Sequence, residues 1–136
     1  MSELDAKYTM PDNNIEDEKR QFLPKQIDKM LQQFVEMSLK SYETHIRKII
    51  LFGSYARGDF RSDSDIDIMV LVDYPREKIC DLDTKLSDIG YELSYENDFI
   101  EISTLMQNID FFNKWAGVYP FYSNVNKEGM ELYVKP

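Results

Sequence analysis

The chain is poor in the residues that build several kinds of site. It has a single cysteine, Cys80, and a single histidine, His45. These counts exclude an intramolecular disulfide, a multi-cysteine metal site and a multi-histidine zinc site, and we expect Cys80 to be a packed, inert thiol. Basic residues are also scarce, because 16 lysines and arginines face 25 aspartates and glutamates, for a net charge of −9. Non-specific nucleic-acid binding depends on basic side chains that neutralise phosphates, so we expect no direct nucleic-acid partner.

Long apolar runs are absent as well. No stretch reaches the roughly 18 consecutive apolar residues of a transmembrane helix, and the first ten residues, MSELDAKYTM, lack the apolar core of a signal peptide. We therefore expect a cytoplasmic protein with no membrane partner. The 136 residues, 43% of them hydrophobic, suit one domain with a real core. Residues 1–20 are polar and acidic and are predicted to form an arm, with the domain spanning 21–136.

Apolar periodicity predicts helices that alternate with strands. The predicted strands are apolar, mostly β-branched runs: Ile46–Phe52, Ile66–Val72 and 99–106. The predicted helices have an apolar residue at every third or fourth position: 24 to about 40, about 76–95 and Ile109–Trp115, the last capped by Asn108. Residues 130–134 suit an edge strand or a short helix. The alternation predicts an α/β or α+β layered fold.

The residues that carry chemistry lie in one segment, LFGSYARGDFRSDSDIDIMVLVD, at 51–73. Asp65 and Asp67 are two residues apart at the start of a predicted strand, so their side chains share one face. Two ionised carboxylates this close repel each other unless a cation lies between them. Oxygen ligands suit Mg²⁺ or Mn²⁺ better than zinc, so the pair predicts a magnesium site.

The turn before these aspartates has the character of an anion site. Gly53 permits a close approach of the backbone at the end of a strand. If a short helix begins at Ser54, its free N–H groups can bind a phosphate, although the Ser54 side chain could equally serve only as a helix cap. Arg57 could contact a phosphate oxygen or form a surface ion pair.

Three other motifs fail on particular residues. A P-loop needs Lys-Ser or Lys-Thr after its last glycine, whereas Gly58 is followed by Asp59. An EF-hand loop that starts at Asp63 needs glycine in place of Ile68 and glutamate in place of Tyr74. An aspartyl phosphatase places its aspartates after the apolar strand, whereas here the apolar run includes and follows them. The remaining pattern is Gly-Ser-x-Ala-Arg-Gly, five residues, then Ser-Asp-x-Asp.

This pattern, at 53–58 and 64–68, resembles the signature of the nucleotidyltransferase superfamily related to DNA polymerase β. Within it, the chain is most similar to the minimal nucleotidyltransferases of the antitoxin type. The resemblance implies a polymerase β-like palm fold, with a small mixed β-sheet flanked by helices. The order of the predicted elements agrees with that family, so the resemblance extends over about residues 20–136.

The resemblance also implies which residues bind the nucleotide. Gly53 and Ser54 would hold the triphosphate of a bound nucleotide, with ATP as the expected substrate. Arg57 and Ser64 belong to the same matched pattern and complete the candidate nucleotide-binding residues.

A second set of roles concerns metal and proton transfer. Asp65 and Asp67 would bind two Mg²⁺ ions, and the family adds a third acidic residue on the next strand as general base and metal ligand. Glu101 is the best counterpart, and Asp98 is a weaker one because it precedes the predicted strand. The family usually has aspartate there, and the extra methylene of glutamate would move the proton acceptor. Glu101 could instead be an ordinary exposed residue of a half-buried strand.

The implied reaction is Mg²⁺-dependent transfer of a nucleoside monophosphate, with AMP from ATP as the expected case, to an acceptor hydroxyl. The minimal nucleotidyltransferases resemble the antitoxins of HEPN toxin–antitoxin pairs, which can adenylylate their toxin, and an acidic chain suits a basic partner. Two alternatives stay open: a non-catalytic binding module that neutralises a partner by contact, and a small-molecule (antibiotic) nucleotidyltransferase. Larger relatives carry a further domain, so we expect another chain, a partner or a second copy, to complete the substrate site.

Overall fold

The computed structural model describes Arg20 and residues 22–136. The predicted N-terminal arm, residues 1–20, therefore lies outside the described residues except for Arg20. The described elements, in chain order, are α1 (Lys25–Tyr42), β1 (Ile46–Phe52), α2 (Ser54–Arg57), β2 (Ile66–Val72), α3 (Arg76–Leu82), α4 (Thr84–Glu96), β3 (Ile102–Asn108), α5 (Ile109–Trp115), α6 (Pro120–Glu128) and β4 (Met130–Val134), with a 3₁₀ turn at Glu43–His45. None of the described helices is both long enough and apolar enough to cross a membrane.

The four described strands form one mixed sheet in the order β3-β2-β1-β4. Strand β1 is antiparallel to both of its neighbours, whereas β2 and β3 are parallel. The parallel pair requires a crossover connection, which α3 and α4 provide. The mixed α+β architecture that the resemblance implied is confirmed.

Helices cover both faces of this sheet. The larger core lies between one face and helices α1 and α4, and includes Phe34, Ile68 and Leu86, each fully buried. A smaller core on the other face joins Met69 and Leu71 of β2 to α5 and α6. Asp67 alternates with Met69 and Leu71 along β2, so its side chain lies on the α5–α6 face, near the start of the strand.

Most of the predicted elements are confirmed. The strands at 46–52 and 66–72 and the helix at 109–115 have the predicted bounds. The Asn108 side chain accepts a hydrogen bond from the Phe111 N–H at 2.9 Å, as expected of the cap. Residues 130–134 form an edge strand. Helix α6 was not predicted, although Pro120 at its first position is a known start signal.

The single helix predicted over about 76–95 is wrong, because it is broken at Asp83 into α3 and α4. The Tyr42 hydroxyl donates a hydrogen bond to the Leu82 carbonyl at 2.5 Å, and so competes for an acceptor that a continuous helix would use internally.

The expectation that Cys80 is packed is also wrong, because Cys80 is exposed.

The third strand begins three residues later than predicted. Asp98 and Phe99 have φ angles of 57° and 60°, and the Phe99 N–H donates to the Ser94 carbonyl at 2.9 Å, so this stretch forms a turn that ends α4. Within β3, Met106 is buried, whereas Glu101, which directly precedes the strand, is exposed.

Candidate active site

The turn after β1 brings the backbone against the Asp67 carboxyl group. Gly53 has φ 76° and ψ −156°, a conformation that is essentially restricted to glycine. A Cβ atom placed on Gly53 would overlap the Asp67 Oδ2 atom and lie 3.2 Å from Asp67 Cγ. Glycine is therefore required at position 53 both by its backbone angles and by its contact with Asp67.

The short helix α2 is fixed at both ends. The Arg57 N–H donates to the Gly53 carbonyl at 3.0 Å, and the Gly58 N–H donates to the Ser54 carbonyl at 2.9 Å. Gly58 closes the helix in the left-handed conformation, with φ 87°. The buried Tyr55 ring stacks on Phe60 at 4.6 Å between centroids. These contacts hold the Gly53–Ser54 turn in place beside Asp67.

A cleft of about 370 Å³ opens at this turn. It is lined by the end of β1, by α2, by Asp67 and by one side of α6: Phe52, Gly53, Ser54, Arg57, Asp67, Phe121, Asn124, Val125 and Glu128. Phe121 meets Phe52 edge to face, with 5.7 Å between ring centroids. Sequence reasoning missed the contribution of α6, because only the folded chain shows that this distant helix packs beside β1.

Within the predicted metal site, the negative charge of Asp65 acts on Asp67. Burial and the negative charge of Asp65 raise the pKa of Asp67, and the nearby Arg57 partly offsets them. Within residues 22–136, no side chain or backbone N–H donates a hydrogen bond to the Asp67 carboxyl group. An oxygen-only pair with such an excess of negative charge fits a hard divalent cation such as Mg²⁺.

Glu101 does not complete a three-carboxylate cluster. Ile66 pairs with Ile102 and its N–H donates to the Glu101 carbonyl at 2.8 Å, so Glu101 lies across from Asp65, on the same side of the sheet as Asp67. However, the described residues contain no group of three His, Cys, Asp or Glu side chains that could hold a metal ion. The role of Glu101 as third ligand and base stays a prediction.

Arg57 joins α2 to α6 at the mouth of the cleft. Its Nε donates to Asp59 Oδ2 at 3.3 Å, and its Nη1 lies 3.8 Å from Glu128 Oε2. Both contacts are partly exposed and therefore weak, so the guanidinium remains available to an anion in the cleft.

Ser64 and Asp98 make contacts of a different kind. The Ser64 hydroxyl accepts a hydrogen bond from the Arg61 N–H at 2.8 Å, and Ser64 is not among the residues that line the cleft. Its contact shapes the loop before β2, and its role in nucleotide binding stays a prediction. Asp98 accepts a hydrogen bond from Gln26 at 3.1 Å.

Two solved structures share 20% sequence identity with the chain. One is the crystal structure of a toxin–antitoxin with AMP-PNP, which aligns with a TM-score of 0.48 over 76% of this chain and 73% of that one. The other, "a putative nucleotidyltransferase from Sulfolobus solfataricus", aligns with a TM-score of 0.45 over 93% of this chain and 94% of that one.

Sequence comparison gives closer matches. A "Putative protein adenylyltransferase" of Methanocaldococcus jannaschii is 39% identical over 106 residues, which cover 78% of this chain and 97% of that protein. Another protein of that organism with the same descriptive name is 60% identical over 25 residues, 18% of this chain and 25% of its own. Residues 32–118 match the family described as "Polymerase beta, Nucleotidyltransferase". This span includes β1, the Gly53 turn and both aspartates, and the chain belongs to the polymerase beta nucleotidyltransferase family of enzymes.

Proposed function

We propose that this enzyme transfers AMP from ATP, in the presence of Mg²⁺, to a hydroxyl group of a partner protein. The observation that carries the proposal is the cleft of about 370 Å³ in which the Gly53–Ser54 turn faces the Asp67 carboxyl group. A cleft with backbone donors on one side and a carboxylate on the other suits a metal-bound triphosphate. The descriptive name of the Methanocaldococcus jannaschii relative supports AMP as the transferred group and a protein as the acceptor.

The donor nucleotide would occupy the cleft with its phosphates toward the turn. The first N–H groups of α2 have no partner within the helix and can donate to phosphate oxygens, and Arg57 adds a positive charge at the mouth. Asp65 and Asp67 would hold Mg²⁺, which supplies positive charge that stabilises the triphosphate and the leaving group. The chain's own contribution is therefore to orient the α-phosphate.

The chemical step is a substitution at the α-phosphorus. The acceptor oxygen forms a new P–O bond while the bond from the α-phosphorus to the bridging oxygen breaks, and pyrophosphate leaves with that oxygen. The Glu101 carboxylate takes the hydroxyl proton, because it lies beside Asp65 and is exposed to an incoming acceptor. Such a reaction depends mainly on positioning and charge stabilisation.

The proposed acceptor is a basic partner protein, and a HEPN-type toxin is the specific candidate. The net charge of −9 favours association with such a partner.

The test uses ATP labelled at either the α- or the γ-phosphate, Mg²⁺ and the product of the adjacent reading frame. We expect label on the partner only from α-labelled ATP, and none after EDTA treatment or in the Asp65→Asn/Asp67→Asn variant. A tight complex without label, unaffected by the double variant, would instead show neutralisation by contact. Label on a hydroxylated antibiotic, with none on the partner, would show a small-molecule enzyme.

Phe121→Ala is expected to raise the KM for ATP about tenfold, with a smaller effect on kcat. Phe121 is 46% exposed and lines the cleft next to Phe52, so its ring is available for a contact with the nucleobase. Stacking on an aromatic ring contributes about 1–3 kcal/mol per base. Steady-state kinetics at saturating acceptor would measure the change.

Tyr119→Ala provides the matched control for this variant. Tyr119 is also 46% exposed and immediately precedes α6, but it does not line the cleft. We expect its KM for ATP to stay within about twofold of the wild-type value. Equal changes in both variants would mean that α6 matters only through its packing.

A further inference from the structure

A second recess, of about 510 Å³, lies between α4, the turn that follows it and the start of β3. Residues 101–104 line one side of it, and Tyr91 and Tyr95 of α4 and Phe99 of the turn line the other. We call this recess the β3 groove. Glu101 lines the β3 groove, whereas Asp67 lines the cleft at the Gly53 turn, and the two recesses share no residue. The Ile66 N–H donates to the Glu101 carbonyl, so the groove begins beside the start of β2, where the aspartates lie.

The aromatic wall of the β3 groove is unusually open to solvent. Tyr91, Tyr95 and Phe99 are 78%, 74% and 73% exposed, although large aromatic side chains normally bury most of their surface. Tyr95 and Phe99 meet edge to face at 5.6 Å between centroids. Phe99 and the preceding Asp98 both have positive φ angles, which cost energy in non-glycine residues. The fold thus holds the Phe99 ring outward at an energetic cost.

The start of β3, which lines the groove, lies at the edge of the sheet. Among the described strands, β3 has β2 as its single neighbour. Gly90 brings α4 close to β3, since a Cβ atom there would lie 3.4 Å from the Ile102 carbonyl oxygen. Helix α4 therefore forms one wall of the groove. An open edge beside an apolar wall is the arrangement that binds an extended peptide as an added strand.

The charge on the elements that form the β3 groove indicates which kind of peptide it fits. Glu101 lines the groove, and the stretch from α4 to Glu101 carries five carboxylates and one lysine in all: Asp88, Glu92, Glu96, Asp98, Glu101 and Lys85. A basic segment is attracted to such a surface. A second copy of this chain would bring the same excess of carboxylates to the interface, so charge disfavours self-pairing of β3.

We propose that the β3 groove is the acceptor site, which binds an extended, basic segment of the partner protein as a strand added to β3. The groove leads to Glu101, so a hydroxyl side chain on that segment would reach the carboxylate that takes its proton. The nucleotide would approach the same aspartate pair from the cleft on the Asp67 side. This inference rests on the proposed function, because it assigns the acceptor in the same transfer reaction.

The test uses two random copolymers as acceptors, one of lysine and tyrosine and one of glutamate and tyrosine, with α-labelled ATP and Mg²⁺. We expect at least about tenfold more label on the basic copolymer.

The Tyr91→Ser/Tyr95→Ser variant removes exposed rings only and should fold. It should raise the KM for the basic copolymer at least about tenfold and leave the KM for ATP unchanged, because aromatic anchors dominate binding surfaces. Phe22→Ser, which removes a ring that is 81% exposed outside the groove, is the control.

Three outcomes would overturn the acceptor site: equal labelling of both copolymers, unchanged kinetics of the double tyrosine variant, or a dimer of this chain that the same variant dissociates. Binding of the basic copolymer without ATP, followed by fluorescence anisotropy, separates this inference from the proposed function. If ATP does not bind but the copolymer still distinguishes wild type from the double variant, the proposed function fails and the peptide site stands.

Discussion

Asp67→Asn is expected to lose at least about a hundredfold in AMP transfer and yet to unfold at higher denaturant concentration than the wild type in EDTA. The activity falls because an amide cannot replace the negative charge that holds the metal, and loss of a single charge-stabilising group commonly costs that much. Asp63→Asn is the matched control, since Asp63 is an exposed carboxylate in the loop before β2. Its activity should stay within about twofold of wild type.

The gain in stability follows from the raised pKa of Asp67. The pKa of Asp67 is higher in the folded than in the unfolded protein, so the folded state keeps this proton to a higher pH. As pH rises from the unfolded-state pKa to the folded-state pKa, the protein therefore loses stability. The advantage of Asp67→Asn should therefore be complete above the native pKa of Asp67 and disappear below the ordinary value of an aspartate. Urea unfolding at pH 7 and in acid would measure it.

Added Mg²⁺ should reverse this order of stability. A ligand that binds only the folded protein stabilises it in proportion to the logarithm of its concentration. The wild type should gain stability with Mg²⁺, and Asp67→Asn should gain little. Full activity of Asp67→Asn, or an identical response of both proteins to Mg²⁺, would contradict the metal site.

Gly53→Ala is expected to lose ATP binding and to lower the free energy of unfolding by more than about 2 kcal/mol. Its backbone angles are strained for any residue with a side chain, a cost of about 1–3 kcal/mol, and the new methyl group would displace the Asp67 carboxyl group. ATP binding should fall because the turn and Asp67 form opposite parts of one cleft. Chemical unfolding and isothermal titration with ATP would measure the two effects.

Substitutions at two other glycines distinguish the cost of backbone strain from the cost of the contact with Asp67. Gly58→Ala adds a Cβ at a positive φ but meets no atom within 4 Å, so it should cost only the strain, about 1 kcal/mol. Gly117→Ala also meets no atom within 4 Å and has no positive φ, so it should be neutral. If Gly53→Ala costs no more than Gly58→Ala and still binds ATP, the contact between Gly53 and Asp67 is not required.

The placement of the two aspartates beside the Gly53 turn could be predicted from sequence because their geometry is local, while their roles in binding metal and phosphate stay predictions. Two aspartates at a strand start share a face whatever the rest of the chain does, and Gly53 marks the turn beside them. The wall provided by α6 could not be predicted, since the contact of Phe121 with Phe52 joins residues far apart in the chain. Ser64 shows that a local contact can also be missed: the matched pattern suggested nucleotide binding and gave no sign of the hydrogen bond that its hydroxyl accepts from the Arg61 N–H.

The errors in the predicted elements have a similar origin. The helix break at Asp83 coincides with a hydrogen bond from Tyr42, which lies about 40 positions away and leaves no trace in the local apolar pattern. The late start of β3 follows from the positive φ angles of Asp98 and Phe99, which neither residue type prefers strongly enough to be foreseen. The late start of β3 lies at the β3 groove, which Phe99 lines, whereas the helix break lies at the start of α4.

The two recesses beside the aspartate pair have no residue in common. If the acceptor binds in the β3 groove as proposed, substitutions on α4 and its following turn would change which protein is modified and preserve ATP recognition. A duplicated gene could then acquire a new target through a few surface changes at Tyr91, Tyr95 or Phe99, without passing through an inactive intermediate. The separation of the recesses would make target choice an evolutionarily independent trait of the enzyme.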